Sequence, residues 1–77
     1  MNIIVLAFGP LAETLGWRRK EIQTKQGATV QDILVLLEYI GDRSMSLLVA
    51  VNGQQCETSH QLLDGDELAL LPPVSGG

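Results

Sequence analysis

Few side chains in this sequence have the chemistry to act on a substrate. His60 is the only histidine, and nothing beside it marks a nucleophile or an orienting acid, so it reads as a surface or turn residue. Cys56, the only cysteine, falls on an expected short strand next to Glu57. A reactive thiol needs an electropositive setting to lower its pKa, and the local sequence supplies none. Asp64, Asp66 and Glu67 have ligand-type carboxylates, but their spacing matches no EF-hand loop, and Asp-Gly-Asp is good turn chemistry; no metal site is expected. Arg18, Arg19 and Lys20 form the only basic run. It reads as the solvated start of a strand, with docking on an acidic partner as the alternative.

The end of the chain is different. Pro72, Pro73, Val74, Ser75, Gly76 and Gly77 carry no charged side chain and no secondary-structure signal. Two prolines stiffen the base of this segment, and two glycines leave its tip without side chains. Such a tail is either frayed filler or a substrate. A terminal glycine carboxylate is the least hindered a protein can present, and Gly-Gly can thread a cleft in which any Cβ would clash. The reaction it suits is activation by ATP followed by attack of a nucleophile on the acyl-adenylate.

The elements that must position this end follow from the pattern. Seventy-seven residues make one small domain. An apolar fraction of 45% with 18% charged residues is the reverse of a disordered composition. A net charge of −4 argues against a nucleic-acid surface. One cysteine excludes an internal disulfide and a Cys-rich metal or iron–sulfur site, which suits a reducing cytoplasm. The apolar start of the chain lacks a basic leader, is too short to span a membrane and stops at Gly9-Pro10.

Strands are predicted over 2–8, 17–24, 47–51, 54–57 and 67–71, the Asn52-Gly53 pair being a strong hairpin signal. A helical turn is predicted over 11–15, ended by Gly16, and a turn of 3₁₀ helix over 59–63. Thr29, with Asp32 behind it, caps a main helix over 30–40 in which Val30, Ile33, Leu34, Leu37 and Ile40 form one stripe before Gly41. The first and last strands are the most apolar and are expected side by side in the centre. If the helix covers Ile3, Val5 and Ala7, then Ile4, Leu6 and Phe8 point out of the sheet. On the last strand Leu68 and Leu70 then face inward, and Ala69 and Leu71 outward. Exposed apolar side chains in that number suit a partner interface.

This layout resembles the ubiquitin-like β-grasp: an α+β fold with a mixed sheet of about five strands covered on one face by one main helix, here over residues 1–72 with a tail at 73–77. The block from Leu62 to Gly77, with its Gly65-Asp66-Glu67 turn, apolar strand and Pro72-Pro73-Val74-Ser75-Gly76-Gly77 ending, is similar to the small, sulfur-carrying subunit of molybdopterin synthase. Phe8-Gly9, Leu11 to Gly16, Gly27-Ala28-Thr29-Val30 and Val51-Asn52-Gly53 extend the resemblance over nearly the whole chain. It departs at Ala12, where many members carry arginine, and at Leu70 and Leu71, where aromatics are common.

The resemblance implies a sulfur shuttle. A ubiquitin-activating-enzyme-like adenylyltransferase uses ATP to adenylate the Gly77 carboxylate, and a persulfide donor converts it to a thiocarboxylate. Pro73, Val74, Ser75 and Gly76 thread the tail into the large synthase subunit, in a heterotetramer of two small and two large chains. Sulfur then passes to a cyclic pyranopterin precursor in molybdenum cofactor biosynthesis. Ile4, Leu6, Phe8, Ala69 and Leu71 form the partner interface, the catalytic bases belong to the large subunit, and the domain itself binds no cofactor. A carrier for thiamine, tRNA thiolation or cysteine synthesis, or a ubiquitin-like binding module that transfers nothing, are the alternatives.

Overall fold

The apolar alternation of the first strand sets the architecture. In the computed structural model, which describes residues 1–37 and 47–71, Ile3, Val5 and Ala7 are buried while Ile4 and Leu6 stay half-exposed on the opposite face. The elements run β1 (Asn2–Ala7), α1 (Gly9–Leu15), β2 (Arg19–Gln23), α2 (Val30–Leu36), β3 (Leu48–Val51), β4 (Gln54–Cys56) and β5 (Glu67–Leu71). The sheet order is β2-β1-β5-β3-β4. β1 and β5 pair in parallel, and the other neighbours are antiparallel. First and last strands are therefore adjacent and β5 is central, as their apolar content predicts. This is the ubiquitin-like β-grasp, of α+β class.

The sheet buries one face. Ile3 and Val5 from β1, Leu68 and Leu70 from β5, and Val49 and Val51 from β3 meet Val30, Ile33 and Leu34 of α2 in one core. α1 is a full seven-residue helix, longer than the predicted turn, and adds Leu11 and Ala12 to that core. It starts early because Phe8, extended at φ −123°, serves as N-cap and Pro10 lies in the first turn, where a missing N–H costs nothing. β1 accordingly ends at Ala7, one residue short of expectation. α1 stops at Gly16, whose φ of 86° is left-handed. No described helix is long and apolar enough to cross a membrane.

The cap of α2 forms as its sequence predicts. Thr29 Oγ1 accepts from the Asp32 N–H at 3.2 Å, and Asp32 Oδ2 accepts from the Thr29 N–H at 2.9 Å. The bond from that backbone N–H, foremost, holds the Asp32 carboxyl below its usual range. α2 runs to Leu36 with Leu37 as its C-cap; the remainder of the predicted helix, through Ile40 to Gly41, lies outside the described residues.

One prediction fails. Residues 59–63 form no 3₁₀ turn: a turn at Thr58 and Ser59 leads to a bridge between Gln61 and Thr29. The reason is competition for backbone groups. The His60 carbonyl accepts from the Val30 N–H at 3.0 Å and the Thr58 carbonyl from the Gln31 N–H at 2.9 Å, while the Leu62 N–H donates to the Ala28 carbonyl at 2.8 Å. These partners satisfy first-turn donors of α2 that would otherwise be orphaned, and local 3₁₀ bonds would forfeit them. The arrangement also drives Leu62 into the core with no exposed surface, whereas Leu63 is 71% exposed. Leu62→Ala should therefore lower the unfolding free energy by about 2–5 kcal/mol. Leu63→Ala should change it by less than about 0.5 kcal/mol. Urea titration of both variants checks the contrast.

Candidate functional site

Residues at the end of β5 position whatever follows it. β5 is hydrogen-bonded on both sides, to β1 from Ile4↔Glu67 to Ala7↔Leu70 and to β3 from Leu48↔Leu71 to Val51↔Leu68. A central strand with neighbours on both sides is the firmest mounting a sheet offers. The expected tail residues Pro73, Val74, Ser75, Gly76 and Gly77 lie outside the described residues.

The start of β5 is held by a clasp of side chains. Asp66, the one buried charged residue among those described, accepts from Asn52 Nδ2 at 2.9 Å through Oδ1 and from the Leu63 N–H at 2.8 Å through Oδ2. Asn52 Oδ1 in turn accepts from the Glu67 N–H at 3.0 Å, and the Asn52 N–H donates to the Glu67 carbonyl at 2.9 Å. Asn52 reaches these partners because it sits at the β3–β4 turn with φ 51°, a left-handed geometry that asparagine tolerates. The same loop grips β1: Asp64 Oδ1 accepts from the Asn2 N–H at 2.7 Å, and the Asp66 carbonyl from the Ile4 N–H at 3.0 Å. Sequence reasoning takes Asn52-Gly53 and Asp64-Gly65-Asp66 as two separate turns. The complementarity of a carboxylate and an amide, each at a turn, is the only sequence sign that they join.

The sheet face away from the helices is apolar along its middle. Leu6, Ala69 and Ala50 lie in one row across β1, β5 and β3, and Leu71 lies opposite Leu48. Ile4, Leu6, Ala69 and Leu71 are half-buried there, as the alternation predicts. Phe8, at the same end as Leu71 because β1 and β5 run parallel, is 45% exposed. Leu48 and Ala50 belong to this face and were not predicted, although the inward placement of Val49 and Val51 implies them. Polar residues border it: Arg19 opposite Leu6, Glu21 opposite Ile4 and Gln55 opposite Ala50. Arg19 and Glu21 meet at 3.9 Å, largely exposed, a pair worth little to stability.

The remaining reactive side chains stand apart from this face. Cys56 packs partly against the core, and burial pushes its thiol up despite a backbone hydrogen bond with Val51 acting the other way, so it is a poor nucleophile at neutral pH. His60 is exposed and contributes its carbonyl to the α2 cap. Of the positions where the sequence departs from its resemblance, Ala12 is buried and Leu70 fully so; only Leu71 alters the outer face.

Residues 5–77 match the model of the ThiS family. The chain belongs to that family. It is a ubiquitin-like sulfur carrier of the ThiS kind. Among solved structures it is similar to SAMP1 from Haloferax volcanii, at 29% identity and a TM-score of 0.82 over all of both chains. It is also similar to a chain of the complex of subunits 1 and 2 of molybdopterin-converting factor from Helicobacter pylori 26695, at 26% identity and a TM-score of 0.68, again over all of both chains. A third is a chain of the BexX/CysO complex of Amycolatopsis orientalis, at 27% identity and a TM-score of 0.65, covering 97% of this chain and 99% of that one.

The clasp can be tested directly. Asp66→Ala leaves the Leu63 N–H and the Asn52 amide without their acceptor, and bonds to a charged group contribute about 1.5–3 kcal/mol each. A loss of about 2–4 kcal/mol in urea denaturation is expected. The Asp66→Ala/Asn52→Ala double variant should lose less than the two single losses combined, because the residues share one network.

Proposed function

We propose that this carrier is the small subunit of molybdopterin synthase, with residues 1–72 as its β-grasp domain, residues 73–77 as its working tail and the Gly77 carboxylate as the reactive group. The observation that carries this reading is the placement of β5: a clasped central strand ends beside an apolar face, and the sequence after it runs Pro72-Pro73-Val74-Ser75-Gly76-Gly77. The similarity to the Helicobacter pylori converting factor supports the pathway.

The chemistry follows from the carboxylate. An ionised carboxylate is a poor electrophile, so an adenylyltransferase partner first joins it to the α-phosphate of ATP with loss of pyrophosphate. The terminal sulfur of a protein persulfide then displaces AMP, and a thiol cleaves the resulting acyl disulfide to release Gly77 as a thiocarboxylate. With Pro73, Val74, Ser75 and Gly76 threaded into the large subunit, this sulfur attacks the pyranopterin precursor, and hydrolysis returns the carboxylate. A dithiolene holds two sulfurs and each carrier delivers one, so two thiocarboxylated carriers are consumed for each product, in an assembly of two small and two large chains. Ile4, Leu6, Phe8, Ala69 and Leu71 dock the domain while the tail reacts. The carrier's own side chains perform no proton transfer in this scheme, and it acts in the cytoplasm.

A second reading, a carrier for thiamine, tRNA thiolation or cysteine synthesis, is favoured by one observation: identity to the BexX/CysO structure, 27%, matches that to the converting factor, 26%.

Intact-mass measurement decides the class. After incubation with ATP, an activating enzyme and a persulfide donor, the chain should gain the mass difference between sulfur and oxygen at Gly77, and a chain lacking Gly77 should not. Sulfur transfer to the pyranopterin precursor when the large subunit is added supports the molybdopterin route; retention of the thiocarboxylate favours the second reading. Phe8→Asp tests the docking face. It should leave the melting temperature within a few degrees and weaken binding to the large subunit about tenfold or more in calorimetry, as loss of an aromatic anchor does.

A further inference from the structure

Three of the chain's five cationic side chains stand in consecutive positions, Arg18, Arg19 and Lys20, in a molecule of net charge −4. The strand register separates them. Arg19 follows the outer face, where Glu21 approaches it. Lys20 lies opposite Val5, on the other face, and Arg18 continues the same alternation opposite Ala7, whose N–H donates to the Arg18 carbonyl at 2.9 Å. Both are exposed, and neither forms a salt bridge among the described residues. The Lys20 Nζ stands 5.8 Å from the centroid of the Trp17 ring, within reach of a cation–π contact. Trp17, only half-buried, and Arg18 line an open groove together with Phe8, Pro10 and Glu13. The groove lies between α1 and the start of β2, an edge strand of the sheet, so an incoming chain meets no neighbouring strand.

We propose that this groove is a docking site for an acidic segment of a protein partner, which seats an apolar side chain against Phe8, Pro10 and Trp17 while its carboxylates meet Arg18 and Lys20. Charge complementarity selects the occupant: Arg18 and Lys20 attract carboxylates locally, whereas the net negative charge opposes a polyphosphate chain, whose binding scales with the number of cations engaged. Glu13 gives the site a direction. It repels a carboxylate at the α1 side, so the acidic groups must lie toward β2. The surface is independent of the chemistry at Gly77 and would serve to orient or select the partner.

The test is a titration of the isotope-labelled full chain with the capped peptide Asp-Asp-Leu-Asp-Asp, followed by amide chemical shifts and Trp17 fluorescence. Shifts are expected at Phe8, Glu13, Trp17, Arg18 and Lys20, with affinity falling as salt is raised. The double reversal Arg18→Glu/Lys20→Glu should weaken binding about tenfold or more while the remaining amide spectrum stays native. Glu13→Gln should tighten it, and a chain lacking Gly77 should bind unchanged, which separates this result from the fate of the carrier reading. Absence of shifts in the groove, equal binding of Lys-Lys-Leu-Lys-Lys, equal binding of an oligothymidylate, or an affinity indifferent to the double reversal would each overturn the proposal.

Discussion

The parallel pairing of β1 with β5 is the constraint on which the rest of the molecule depends. It joins the first strand to the last, both largely apolar, and it leaves β2 and β4 as the edges. Parallel neighbours cannot be joined by a tight turn, so every other element must be accommodated between them, and α2 with its cap and the β3–β4 hairpin fill that interval. The pairing also fixes direction: the ends of β1 and β5 coincide, which brings Phe8 and α1 to the point where the chain leaves the sheet. The clasp of Asp66, Asn52 and Asp64 secures the opposite end of the same strand pair.

This geometry separates support from action. The buried face carries nearly all the packing, and its residues have no chemistry to offer. The outer face contributes apolar area, and the one thiol is raised in pKa by burial and turned away from it. A domain built in this way presents surface and a mounted strand end. The polar borders at Arg19, Glu21 and Gln55 keep the apolar stripe narrow, which limits self-association of an otherwise exposed sheet.

Most of the fold is legible in the sequence because its signals are local. The two-residue alternation in β1 and β5, the Thr29–Asp32 capping box, Gly16 after α1 and Asn52-Gly53 between β3 and β4 each act within a few residues. What escapes is non-local. The segment around Leu62 is extended because carbonyls of Thr58 and His60 are claimed by α2, thirty positions earlier, and no local pattern reports such a claim. The same holds for the Asn52–Asp66 clasp and for the row that Leu48 and Ala50 form with Leu71 and Ala69, which follows once β3 is known to lie beside β5. The outer-face residues Ile4, Leu6, Ala69 and Leu71 are legible from alternation, and Phe8 from the end of the run.

The bond between Asn2 and Asp64 spans 62 positions, and that span has a consequence for how the molecule is made. During synthesis β1 emerges first, apolar on both faces, and waits for its central neighbour until residue 71 has been added. Sheets dominated by such distant pairings form slowly, and β1, paired with β2 on one side only, keeps its other edge open as a template for aggregation in the interval. The same delay acts as a length check. A chain cut short before β5 lacks the strand that pairs with both β1 and β3 and cannot complete the sheet. Folded surface and mounted strand end are thereby produced together, and no shortened product can offer partners the one without the other.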